Sequence, residues 1–102
     1  MPWWIDSDNL VTATGVIDQL TSTYINDATI SCQLTDEDVA NVGSSFSLSY
    51  IAATDGNYNG TLPNATAANL VGGKPYTLTI TITKDTSKSV IEILQNASYK
   101  QV

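Results

Sequence analysis

The run Tyr76-Thr77-Leu78-Thr79-Ile80-Thr81-Ile82-Thr83 limits what this chain can fold into more than any other segment. Apolar side chains alternate with threonines through all eight positions. Successive residues of a strand face opposite sides of a sheet, so the run sets a wholly apolar face against a wholly hydroxylated one. Threonine's branched Cβ adds a preference for the pleated backbone over helix. One strand with a dry side and a wet side requires others to cover the dry side.

Further segments supply them. Ala28, Ile30, Cys32 and Leu34 alternate with Thr29, Ser31 and Gln33, and Phe46, Leu48 and Tyr50 alternate with Ser45, Ser47 and Ser49. Tyr58, Gly60 and Leu62 make a shorter piece. Val90 to Leu94 is apolar on both faces except at Glu92, as expected of a strand that ends the fold or meets a partner. Leu10-Val11 and Gly15-Val16-Ile17 read as an opening strand broken by a glycine. Turn residues fall between the runs, at Ile25-Asn26-Asp27, Asp36-Glu37-Asp38, Asp55-Gly56-Asn57, Gly72-Gly73 and Lys84-Asp85-Thr86-Ser87. Pro63 to Leu70 holds the one alanine-rich patch and is expected to make a helical turn.

Short strands about 8 to 12 residues apart, with no amphipathic helix between them, predict an all-β, immunoglobulin-like antiparallel β-sandwich of six to seven strands. Leu70, Gly73 and Tyr76 carry the sandwich preference. They resemble a tyrosine corner, in which a phenol at the start of a late strand bonds backbone a few residues upstream. The chain's 102 residues suffice for one domain, and the expected division is an N-terminal arm, residues 1–8, followed by the sandwich, residues 9–102. The N-terminus shows no signal for secretion, and the opening methionine leads straight into domain-like sequence, as expected of a complete gene product.

Charge and composition narrow the function. A net charge of −6 with only 4 Lys and Arg disfavours nucleic acid. No apolar stretch is long enough for a membrane helix. Histidine is absent, which removes the commonest general base and the commonest neutral metal ligand. Cys32, alone of its kind and set in an alternating run, reads as a buried hydrophobe. Asp55, Asn57, Asn59 and Gly60 match the first half of a calcium loop, but Thr66 stands where the closing carboxylate belongs, so a hairpin turn is the simpler reading. Asp36-Glu37-Asp38 and Asp6 with Asp8 read as solvated turns. The three sequons, at Asn59, Asn64 and Asn96, stand against about two expected by chance and carry no weight without a secretion signal. No enzyme activity, cofactor or metal is therefore expected.

Trp3 and Trp4 are adjacent, so an extended arm points them to opposite sides. Either the arm docks on a neighbouring subunit, with Trp3, Trp4 and Ile5 as contacts and Tyr99 joining them, or it folds back over its own sandwich edge.

In chain order, Tyr24-Ile25-Asn26-Asp27-Ala28-Thr29-Ile30, Leu48-Ser49-Tyr50, Asp55-Gly56-Asn57-Tyr58-Asn59-Gly60-Thr61-Leu62-Pro63 and Gly73-Lys74-Pro75-Tyr76-Thr77-Leu78 resemble small immunoglobulin-like virion structural proteins of tailed bacteriophages. The resemblance spans roughly residues 9 to 83. It implies a non-enzymatic component of the virion, foremost a decoration or cement protein on the phage head, with the major capsid protein or other virion subunits as partners and a homo-oligomer as the expected form. A neck or tail accessory protein is a second implied role. A carbohydrate-binding or adhesive sandwich, with Tyr50 and Tyr58 as an exposed aromatic site, is the competing expectation.

Overall fold

In a computed structural model of the chain, residues 3–18, 23–85 and 87–99 are described. They form an all-β structure. Nine strands run in chain order: β1 (Trp3–Ile5), β2 (Asn9–Ala13), β3 (Ile17–Asp18), β4 (Thr23–Tyr24), β5 (Thr29–Thr35), β6 (Asn41–Tyr50), β7 (Tyr58–Leu62), β8 (Pro75–Lys84) and β9 (Ser87–Tyr99). One helical turn, α1 (Asn64–Ala67), lies within the alanine-rich patch.

Seven strands hydrogen-bond in the order β1-β9-β8-β5-β6-β7-β2, and β3 pairs with β4 in a separate ribbon. The alternating run of β8 holds register with β5 from Thr35↔Thr77 to Thr29↔Thr83. Leu78, Ile80 and Ile82 therefore share their face with Leu34, Cys32 and Ile30, and all six are buried. β6 pairs with β5 along most of its length, then passes Ser49 and Tyr50 to β7. It thereby carries the sheet around a corner, because a strand shared by two groups of neighbours must bend between them. β7 in turn pairs with β2.

The result is a mixed sheet, curled and nearly closed, around one core. Its edge strands, β1 and β2, are consecutive in the chain. Every pairing is antiparallel except one: β1 runs parallel to the end of β9, from Trp3↔Ala97 to Ile5↔Tyr99. This departs from the all-antiparallel expectation, and its cause is that the first and last strands meet without a hairpin between them.

The division into an arm and a domain also changes. Trp3 and Ile5 are buried at 5% and 3% exposure in the same core as Tyr76 and Leu78. Residues 1–8 thus include a strand of the domain. An indole left in water would forfeit its apolar area, and the open end of the sheet beside β9 offers a place to bury it.

Gly43 marks a close approach between layers. Its φ is +72°, and a Cβ there would lie 2.3 Å from the Thr66 hydroxyl of α1. Only glycine lets β6 pass under the helical turn.

Candidate functional site

Three regions hold the residues singled out in the sequence. Around the N-terminal strand, Trp3 Nε1 donates to the Tyr76 carbonyl oxygen at 3.0 Å. The Tyr76 hydroxyl accepts the Val71 N–H at 2.9 Å, just after buried Leu70 and beside the turn in which Gly73 has φ +82°. Tyr76 is thus tied at both ends, to β1 through its carbonyl and to its own approach loop through its phenol. Trp4 is half-buried. Its N–H donates to Asn9 Oδ1 at 2.8 Å, and Asn9 Nδ2 donates to the carbonyls of Trp4 and Ser7. Asn9 is 5% exposed and closes the turn between β1 and β2. It was not singled out in the sequence, where one asparagine before an apolar pair looks like any loop residue.

Of the two roles left open for Trp3 and Ile5, coverage of the chain's own core is what their burial shows. Tyr99, by contrast, is 67% exposed. The acidic pair nearby serves α1: Asp8 Oδ1 accepts the Asn64 N–H and Asp6 Oδ1 accepts from Asn64 Nδ2.

The second region is the turn around Gly56. Asn57 Oδ1 accepts the Gly15 N–H, Asn26 Oδ1 accepts the Gly56 N–H, and Val16 donates its N–H to the Gly56 carbonyl. Of the residues that matched a calcium loop, Asn57 thus has its side-chain oxygen occupied by a backbone N–H, and Asn26 from a separate turn ties the same region. Asp36 Oδ1 likewise accepts from the N–H groups of Asp38 and Ala40. Among the described residues no group of three Cys, Asp or Glu is placed to hold a metal ion. Tyr58 is 1% exposed, donates to the Ile25 carbonyl oxygen at 2.5 Å and accepts the Ala28 N–H. Tyr50 is half-buried, packs its ring edge-on against Tyr58 with centroids 5.6 Å apart, and donates to the Thr54 carbonyl. The exposed aromatic site expected of a carbohydrate-binding module is therefore not formed by this pair, because the hydrogen bonds of the phenols draw both rings inward. Cys32 is fully buried, and burial pushes its thiol up to about 11.

The third region is β9. Directly opposite residues share a face, so Lys88, Val90, Glu92 and Leu94 stand on the outer face with Thr83, Thr81, Thr79 and Thr77. Val90 and Leu94 are 53% and 68% exposed. On the inner face Ile91 is also exposed at 45%, since among the described residues no strand closes the sheet between β9 and β2. There a cleft of about 840 Å³ opens, with Ala13, Val16, Ile17, Ile25, Ile80 and Ile93 among its walls. Thr12, Thr14, Lys84, Lys88 and Ser89 also line it, so the cleft mixes apolar and polar side chains. No protein family, curated protein or solved structure matches this chain. Its chemistry must be read from its own surface, and that surface presents unpaired strand and apolar side chains.

Proposed function

We propose that this chain is a non-enzymatic virion structural protein of tailed bacteriophages, a decoration protein that binds the phage head through protein contacts. The observation that carries the proposal is the apolar edge of β9, with Val90, Ile91 and Leu94 exposed beside an open cleft. Exposed apolar side chains gathered along one unpaired strand edge support a contact site there. It is joined by the resemblance in residues 9 to 83.

The finer, immunoglobulin-like reading of the fold belongs to the same proposal. It is supported by the phenol–backbone bond of Tyr76, placed as in a tyrosine corner.

Immunogold labelling of tailed particles, from a lysate carrying the gene, tests the function. Label spread over the heads supports decoration. Label confined to necks or tails replaces it with an accessory role, and unlabelled particles overturn the virion assignment.

A further inference from the structure

β9 is 13 residues long and contains neither proline nor glycine. β1 covers its outer side only from Ala97 to Tyr99, so among the described residues nothing pairs with that side of residues 88–94. A sheet edge exposes N–H and carbonyl groups at each alternate residue, and folded proteins usually guard such edges with proline, bulges, short strands or repeated lysines. Here the guard is one lysine, Lys88, with Glu92 four residues on and Val90 midway between them, all exposed on the outer face.

We propose that this edge pairs with the same edge of a second copy, antiparallel and centred on Val90, to make one sheet continuous through a dimer. A twofold axis normal to the sheet keeps inner faces inner and outer faces outer, so directly opposite residues have numbers that add to an even sum. The charges choose among these registers. Centring on Glu92 opposes the two glutamates, and centring on Lys88 opposes the two lysines. Centring on Val90 sets Lys88 of each copy opposite Glu92 of the other and the two valines against each other. Opposite charges and β-branched pairs stabilise cross-strand contacts, and like charges oppose them. Lys88 makes no ion pair within the chain among the described residues and so is available, whereas Lys84 is held by Asp27 at 2.7 Å. The match has local value because two copies of a chain with net charge −6 otherwise repel. On the inner side, Ile91 of each copy then gains cover at the mouth of the cleft.

This goes beyond the proposed function and holds whatever particle the protein serves, so the labelling of virions and the experiment below fail independently. Light scattering of the full chain, up to on the order of 100 µM, reads the mass directly. The expected result is a dimer of the 10.9 kDa chain. Lys88→Glu and Glu92→Lys should each weaken dimerisation by roughly tenfold or more, since each turns two attractive pairs into two repulsive ones. The double exchange should restore it. All three variants alter exposed side chains, and circular dichroism verifies that they fold. A monomer at every concentration, an oligomer that a single exchange leaves intact, or one that the double exchange fails to restore would overturn the proposal.

Discussion

The hydroxyl of Tyr76 and the thiol of Cys32 show how single side chains are committed to this fold. Tyr76→Phe keeps the ring in the core but removes the acceptor for the Val71 N–H, and should cost about 1 kcal/mol in urea denaturation. Cys32 gives a pH dependence. Its folded pKa is about 11 against an ordinary 9.0, so the fold prefers the neutral thiol. The unfolded chain ionises first as pH rises, and the stability present below pH 9 is lost between about 9 and 11, by roughly 2 to 3 kcal/mol at most. The difference between the wild type and Cys32→Ala, measured at pH 8 and pH 11, should shrink accordingly. Equal differences at both pH values would mean that the thiol is not desolvated. Cys32 was legible in the sequence because the alternation of β5 fixes which face it occupies. The clamp formed by Asn9 was not, because its value lies in two carbonyls that only the turn brings within reach.

At the scale of elements, the hairpin between β5 and β6 carries a strained tip. Val39 has φ 62° and is 78% exposed, so a β-branched side chain sits in the left-handed region with little packing to offset it. Val39→Gly should raise stability by about 1 kcal/mol, read as an upward shift of the denaturation midpoint. Gly43→Ala should do the opposite, losing at least about 1 kcal/mol, because the backbone has φ +72° and Thr66 occupies the space. Period-two alternation located the cores of β5, β7 and β8 almost to the residue. It underestimated β9, whose alternation is broken by Ile91 and Ile93 on one face and Val90 and Leu94 on the other. A strand left unpaired on one side along residues 88–94, next to an open cleft, has no single dry side, so its sequence need not alternate.

For the molecule as a whole, β1 decides whether the domain is complete. Removing residues 1–8 takes Trp3 and Ile5 from the core and leaves Asn9 without the Trp4 groups it binds. Deleting a buried Trp or Ile side chain costs about 2 to 5 kcal/mol, against a total stability of about 5 to 15 for a typical domain. The truncated chain should therefore lose cooperative unfolding, as monitored by near-ultraviolet circular dichroism and by denaturant titration. A truncated protein with an unchanged midpoint would show that β1 is an accessory strap.

The sequence by itself determined the strand class, the inward faces of β5 and β8, the helical turn before β8 and the burial of Cys32. All of these follow from local periodicity and propensity, which neighbouring residues encode. Tertiary structure alone decided that Trp3 lies inside while Leu94 lies outside, and that the first strand runs parallel to the last. Each of these depends on which distant strand occupies a shared edge. Apolar side chains record that they need cover, but the chain's path around the sheet determines which of them receives it.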